Sequence, residues 1–142
     1  MRFWDSSALV PLLVEEPETR RMERFLAEDI TLLVWYGTMA EIESSITRRV
    51  REGTLSVEDE RLARRKFRML ESAWNEVQPT EDVRRRALRL LRVHPLRAAD
   101  AFQLAAALVA CGENTDGFGF VTGDTRLREA AGKEGFDVGD DG

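Results

Sequence analysis

The 142-residue chain lacks most of the side chains that crosslink small folds or transfer protons at neutral pH, since it contains one cysteine and one histidine. With only Cys111 present no intramolecular disulfide can form, and its apolar neighbours at 105–110 predict a small buried hydrophobe. His94 precedes Pro95, a position that favours a helix-terminal or surface role over catalysis. Ser-His-Asp and Cys-His nucleophile systems are therefore excluded unless they use His94.

The chain also lacks a long hydrophobic run and an excess of positive charge. The run at residues 8–14 follows Asp5, contains Pro11 and is too short to cross a membrane. We therefore expect a cytoplasmic protein with no membrane association. The formal net charge is -5 and the sequence pI is about 5.1, whereas proteins that hold nucleic acid by overall charge are basic. Any contact with nucleic acid would have to be local.

The length and composition that are present favour one folded unit. Domains commonly hold ~100–200 residues, so a single domain spanning residues 1–142 is expected. Hydrophobic residues make up 43% of the chain and charged residues 33%, which is typical of a globular protein. A chain of this size buries roughly two-thirds of its unfolded surface, enough for a core without crosslinks.

Short apolar segments alternate with segments of helical periodicity along the chain. Strands are predicted at 2–4, 30–34 and 118–122, with weaker candidates at 74–78 and 136–138. Helices are predicted after Asp5, from near Pro17, Thr38 and Ser56, and over 81–93, 97–108 and 125–133. Thr38 followed by Glu41 is the capping-box pattern that opens a helix. The alternation predicts an α/β fold, a three-layer sandwich with a mostly parallel central sheet.

Four carboxylates occur at equivalent positions of this pattern. Asp5 and Asp124 directly follow predicted strands, and Glu41 and Asp100 lie in the first turns of predicted helices. Because the carboxyl ends of parallel strands and the N-termini of the following helices share one sheet edge, we expect the four to face one crevice. Each also has a purely structural explanation: Asp5 and Asp124 as N-caps, Glu41 as part of the capping box, and Asp100 as a helix-dipole partner or an ion pair with Arg97.

The structural explanations account less well for the four acids as a set. Like charges ~5 Å apart at an effective dielectric of ~20 repel by about 3 kcal/mol per pair, so such a cluster calls for a cation. Oxygen ligands without cysteine or histidine favour Mg²⁺ or Mn²⁺. A divalent ion in such a site activates water and stabilises charge on a phosphate. The set therefore indicates phosphoryl chemistry.

Four segments, in order along the chain, carry a resemblance to a known family: residues 5–7, 38–42, 97–105 and 121–127, the last followed by alanines at 130–131 and Gly-Phe at 135–136. The chain resembles the PIN-domain nucleases, and specifically the VapC-type toxins of bacterial and archaeal toxin-antitoxin pairs. The resemblance spans nearly the whole chain. It implies a PIN-like fold, hydrolysis of RNA phosphodiester bonds, a cognate antitoxin as protein partner, and a homodimer.

The resemblance also implies residue roles. Asp5, Glu41, Asp100 and Asp124 correspond to the acidic quartet that binds Mg²⁺ or Mn²⁺ and carries catalysis. Thr122 corresponds to a position that supports the metal-site water, a role secondary to that of the four acids. A homodimer is also expected from the apolar surface of the helices at 17–26 and 56–70.

Glu43 is the rival to Glu41 for the second acid of the set. Met39, Ile42, Ile46 and Val50 form one helical face with Glu43 at its border and Glu41 nearly opposite, so periodicity does not favour Glu41. The first-turn position of Glu41 and the family pattern do favour it.

Two groups of residues have open assignments. Basic stretches at 48–51, 61–68 and 84–86 are more often solvated helix faces than binding patches, with Arg48 and Arg49 best placed to meet phosphate. Trp35 and Tyr36 fit base stacking or packing in a core or dimer equally well.

The alternative function is a non-catalytic PIN-like RNA-binding or scaffold domain, which would gain little from clustered carboxylates. A receiver-like or phosphatase domain is disfavoured because residues 5–7 lack the paired aspartates that such folds place after the first strand.

Overall fold

The computed structural model describes residues 1–139, so the last three residues of the predicted domain lie outside the described part. The elements in chain order are β1 (Arg2–Trp4), α1 (Ser6–Leu13), α2 (Thr19–Glu28), β2 (Leu33–Trp35), α3 (Thr38–Arg51), α4 (Val57–Ala73), β3 (Asn75–Val77), α5 (Glu81–Val93), α6 (Ala98–Ala110), β4 (Gly119–Val121) and α7 (Thr125–Lys133).

The four strands form one sheet with the order β3-β2-β1-β4. Every strand pair is parallel, and Phe3 of β1 lies opposite both Leu33 of β2 and Phe120 of β4. The segment 136–138, predicted as a last edge strand, contributes only an isolated parallel bridge between Gly119 and Asp137. The predicted α/β fold with a mostly parallel sheet is therefore confirmed, with all strands parallel.

Helices cover both faces of this sheet because neighbouring residues of a strand point to opposite sides. Phe3 and Phe120 stack with their ring centroids 5.3 Å apart and pack against residues of α5, α6 and α7. Trp4 and Val121, next along the same strands, pack with residues of α1, α3 and α4. The result is the expected three-layer arrangement. No helix within residues 1–139 is long and apolar enough to cross a membrane.

The second strand begins three residues later than predicted. Ile30, expected to be its first residue, is 81% exposed, and Leu33 is the first residue of β2. The Asp29 side chain accepts a hydrogen bond from the backbone N–H of Thr31 at 2.9 Å, which holds this stretch in a turn-like connection after α2. Its apolar composition was misleading because the Asp29–Thr31 turn leaves Ile30 at the surface before strand pairing begins.

The capping box predicted for Thr38 and Glu41 is wrong. Gly37 is the N-cap of α3, and no side chain caps this helix. Thr38 already has helical geometry and is fully buried, and its hydroxyl accepts a hydrogen bond from Gln103 Nε2 of α6 at 3.0 Å. A contact with a residue far away in sequence thus replaces the local cap.

The single histidine and cysteine both lie at helix ends. His94 is the C-cap residue of α5, as predicted, but it is buried rather than at the surface, with Nε2 2.6 Å from Glu134 Oε2. Cys111 follows α6, is partly buried, and packs against the core of the α5–α7 layer.

Candidate active site

The sheet order creates a crevice at its carboxyl edge. The chain moves from β1 to β2 to β3 in one direction, and β4 then pairs with the opposite side of β1. The connections that leave β1 and β4 therefore diverge to opposite faces, and such a switch point is where open parallel sheets form their ligand crevice. Asp5 follows β1 and Thr122 follows β4 at this point, so both lie at the switch point.

Asp5 is the most deeply buried acid of this edge, with 3% of its surface exposed. Its backbone N–H donates to the Val121 carbonyl at 3.0 Å, which extends the β1–β4 pairing to the crevice. The carboxylate Oδ2 accepts hydrogen bonds from the hydroxyls of Thr122, at 2.8 Å, and Ser7. Burial raises the pKa of Asp5, and these hydrogen bonds only partly oppose that increase.

Thr122 links Asp5 to the fourth acid. Its Oγ1 donates to Asp5 and accepts a hydrogen bond from the backbone N–H of Asp124 at 3.0 Å. Asp124 Oδ1 accepts from the Leu127 N–H at 3.1 Å and so caps α7. The N-cap role considered for Asp124 is thus confirmed, whereas the Asp5 side chain makes no cap hydrogen bond to α1.

Glu41 lies in the first turn of α3, after β2, and faces Asp5. Its Oε1 accepts from Gln103 Nε2 at 2.7 Å, and its Oε2 accepts from the Ser6 hydroxyl at 3.3 Å. The same hydroxyl is 3.4 Å from Asp5 Oδ1, so Ser6 lies between the two carboxylates. Burial, followed by the negative charges of Asp5 and Asp100, raises the pKa of Glu41 to about 6.

Asp100 lies in the first turn of α6 and is partly buried. Burial raises its pKa, and the negative charges of Asp124 and Asp5 raise it further. A backbone hydrogen bond from Arg97 and the positive charge of Arg97 act in the opposite direction. Within residues 1–139 no ion pair joins the two side chains, so the ion pair considered as one structural explanation of Asp100 is not formed there.

The rival acid, Glu43, is placed elsewhere. It is exposed and forms an ion pair with Arg64 of α4, with 2.8 Å between the nearest charged atoms. The two glutamates lie on different sides of α3, and only Glu41 meets residues of α1 and α6.

Comparison with known proteins agrees with this architecture, since a PIN domain family model matches residues 2–133. The chain belongs to the PIN domain family. The resemblance found in the sequence is therefore confirmed at the level of the family. No curated protein sequence gives a significant match to the chain.

Solved structures share the fold of this PIN domain at low sequence identity. A toxin-antitoxin complex from Klebsiella pneumoniae is similar with a TM-score of 0.64 and 18% identity, over 89% of this chain and 88% of that one. PAE2754 from Pyrobaculum aerophilum is similar with a TM-score of 0.65 and 20% identity, over 91% of this chain and 84% of that one. FitAcB from Neisseria gonorrhoeae is similar with a TM-score of 0.65 and 16% identity, over 93% of this chain and 94% of that one.

The PIN domain has the donor chemistry for a hard divalent ion, but its carboxylates are not drawn together around one point. In the described part of the chain, no three Asp, Glu, His or Cys side chains are grouped closely enough to hold a metal as they stand. Burial nevertheless raises the pKa values of Asp5, Glu41 and Asp100, and the negative charges of neighbouring acids raise those of Glu41 and Asp100 further. Such an oxygen-only, negative donor set fits Mg²⁺ or Mn²⁺, which retain water ligands and need few protein ligands.

Sequence analysis assigned no role to three polar residues that contact the acids: Ser6, Ser7 and Gln103. Ser6 lies between Asp5 and Glu41, and the Ser7 hydroxyl accepts from the Gly123 N–H at 2.9 Å while it binds Asp5. Gln103 is fully buried in α6. One signal was available, because a glutamine three residues after Asp100 lies on the same helical face, within an otherwise apolar helix.

Proposed function

We propose that this PIN domain is a Mg²⁺- or Mn²⁺-dependent endoribonuclease that acts as the toxin of a toxin-antitoxin pair. The observation that supports the proposal is the set of carboxylates that repel one another at the switch point of the sheet. The pKa of Glu41 is raised to about 6, in part by the negative charges of Asp5 and Asp100. PIN domains are generally nucleases, which supports the same chemistry. A scaffold domain would have no use for charges that burial makes costly.

Asp5, Glu41, Asp100 and Asp124 are the residues that would hold the divalent ion. When bound, the ion supplies a polarised water and offsets negative charge on the scissile phosphate. Its positive charge would also offset the repulsion that, after burial, raises the pKa values of Glu41 and Asp100.

The remaining side chains orient these acids. The hydroxyls of Thr122 and Ser7 fix Asp5 Oδ2, and Gln103 Nε2 fixes Glu41 Oε1. Glu41 is the acid that we assign to accept a proton from an attacking water. Its Oε2, held only by the long contact from Ser6, is the oxygen best placed for that transfer.

A protein partner is supported by an apolar groove beside the carboxylates. The groove has a volume of about 720 Å³ and lies between α3 and α4, where it includes the exposed side chains of Tyr36 and Met39. Ala40 borders it and directly precedes Glu41 in α3. The structural neighbours include a toxin-antitoxin complex, and an antitoxin covering this groove would lie next to the crevice.

A homodimer remains part of the proposal, on a revised surface. The apolar residues of α2 do not contribute as expected, because Met22 is fully buried and Phe25 packs against the core. Exposed apolar side chains instead remain on α4, at Leu62 and Met69, and on α5, at Leu88. Light scattering at micromolar concentration and moderate salt should give the mass of two chains, and a monomer would contradict this part.

The deciding experiment is cleavage of single-stranded RNA with added Mg²⁺ or Mn²⁺ and with excess EDTA. We expect cleavage only in the presence of the ion, since the residues at the crevice offer no other electrophile for the phosphate. Full-rate cleavage in EDTA would overturn the metal requirement. Binding of RNA without cleavage under any metal would instead support the non-catalytic alternative.

A short neighbouring reading frame that encodes a DNA-binding protein would support the toxin-antitoxin assignment.

A further inference from the structure

A second groove leads away from the carboxylates on the other side of Ala40. It has a volume of about 430 Å³ and is lined by Ser6, Ser7 and Val10 of α1 and by Ala40, Glu41, Ser44, Ser45 and Arg48 of α3. It therefore starts at side chains that contact Asp5 and runs along α3. A chain bound at the crevice could continue into it without a break.

Helical spacing places one cation at the far end of this groove. Arg48 follows Glu41 by seven residues, close to two turns, so both lie on the same side of α3, about 10 Å apart along its axis. Ser44 lies between them, one turn before Arg48. Arg48 is the only positively charged residue among those that line the groove.

Sequence analysis did not distinguish Arg48 from its neighbour Arg49, but the two side chains have different contacts in the structure. Arg49 forms an ion pair with Glu16 and hydrogen bonds with Ser45, so it links α3 to the connection between α1 and α2. Arg48 is exposed and has no ion pair or hydrogen bond from its guanidinium within residues 1–139, and in that range the Ser44 hydroxyl also makes no hydrogen bond. The groove thus contains a cation and a hydroxyl donor that the fold itself does not use.

We propose that Arg48, assisted by the Ser44 hydroxyl, binds a phosphate of the RNA next to the scissile one. The proposal rests on the proposed nuclease function and adds the direction in which the substrate runs, from the carboxylates along α3. The acidic crevice repels the phosphates that flank the scissile bond, so a guanidinium just beyond it offsets the repulsion and fixes the register. The planar fork of arginine suits a phosphate because it can donate two parallel hydrogen bonds.

The first test is binding of a fluorescent 12-nucleotide single-stranded RNA in EDTA, measured by anisotropy over a range of NaCl concentrations. Loss of one phosphate contact reduces the slope of log K against log salt by about 0.7 for single-stranded nucleic acid, and we expect that change for Arg48→Gln with a roughly tenfold weaker affinity. Arg92→Gln is the matched control, since Arg92 is also exposed and in the last turn of its helix, α5. It should leave both slope and affinity unchanged.

The second test identifies the phosphate through steady-state cleavage of RNAs that carry a single neutral methylphosphonate at successive positions. Arg48→Gln should raise KM with little change in kcat, and its effect should disappear when one particular phosphate near the cleavage site is already neutral. Arg48→Lys should restore part of the affinity because the charge remains while the fork is lost.

The outcomes separate this inference from the function on which it rests. A wild-type protein that cleaves RNA, together with an Arg48→Gln variant of equal affinity, salt slope and KM, would overturn the phosphate subsite alone. An effect of Arg92→Gln as large as that of Arg48→Gln would also overturn it, since only general charge would be involved. A wild-type protein that neither binds nor cleaves RNA would overturn both.

Discussion

The pKa values of the carboxylates at the two ends of the sheet are shifted in opposite directions. Near the amino end of β1, Asp29 accepts from the Thr31 N–H and lies 3.0 Å from the amino group of Met1, and these contacts lower its pKa to about 2. At the carboxyl end, Asp5 and Glu41 lie on either side of the Ser6 hydroxyl, and burial raises the pKa values of both acids.

The contrast separates acids that stabilise the fold from acids kept for another purpose. Partners at the amino end favour the charged form, so ionisation of Asp29 adds stability. At the carboxyl end the hydrogen bonds to Asp5 and Glu41 do not outweigh burial, so ionisation reduces stability. Acids held against an energetic cost, together in a crevice, are candidates for function.

The largest effect is expected when one negative charge at a time is removed from the crevice. Asp5→Asn, Glu41→Gln, Asp100→Asn and Asp124→Asn should each lower RNA cleavage by about 100-fold or more, while the metal-free thermal midpoint stays constant or rises. Glu43→Gln is the control in the same helix as Glu41. Cleavage rates and midpoints with and without Mn²⁺ would be measured for all five. Loss of metal stabilisation in Glu43→Gln but not in Glu41→Gln would show that the second acid is Glu43.

A smaller effect is expected from the residue that orients Glu41. Gln103→Leu removes the hydrogen bond that lowers the pKa of Glu41, so the acid limb of the pH–rate profile should move to higher pH, with cleavage reduced ~10-fold at neutral pH. Stability should fall by about 1 kcal/mol, because Thr38 and Glu41 each lose a hydrogen bond while the unpartnered Oε1 of Gln103 is also removed. Thr38→Val, which removes the other acceptor of Gln103, should leave the acid limb of the pH–rate profile at the same pH. An unshifted limb in Gln103→Leu would contradict the positioning role.

The pH dependence of stability should have opposite signs at the two ends. Glu41 has a folded pKa of about 6 against an ordinary 4.5, so the folded protein holds the proton more tightly and metal-free stability falls as pH rises between these values. The loss relative to Glu41→Gln should be about 1 kcal/mol after allowance for solvent screening. Denaturant titrations of the metal-free proteins from pH 4 to 7 measure it. A constant difference across this range would be inconsistent with the raised pKa.

The smallest expected effect is at the amino end. Asp29→Asn should lose about 1 kcal/mol or less above pH 4, because the ionised form is favoured in the fold but remains partly screened by solvent. The difference should disappear as pH falls from 3.8 towards about 2, the lowered pKa. Cleavage should stay within twofold of wild type. A change in RNA cleavage comparable to that of Asp5→Asn would break the distinction between the two ends.

Local sequence determined most of the architecture, because the helices carry their own buried residues and three of them, α4, α5 and α7, also begin at a side-chain cap. The helices predicted at 81–93 and 125–133 have those bounds in the structure, where the side chains of Thr80 and Asp124 accept cap hydrogen bonds. The alternation of elements was enough for a parallel sheet. It was also enough to bring Asp5, Glu41, Asp100 and Asp124 to one edge.

Tertiary structure alone decided which side chains meet there. Periodicity could not separate Glu41 from Glu43 or Arg48 from Arg49, since the partners that distinguish them lie on α1, α4, α6 and the connection between α1 and α2. The Thr38 hydroxyl, expected to cap its own helix, contacts Gln103, 65 residues along the chain. Local pattern sets which face of a helix is buried, but the crossing of helices that are distant in sequence sets which polar group on that face finds a partner.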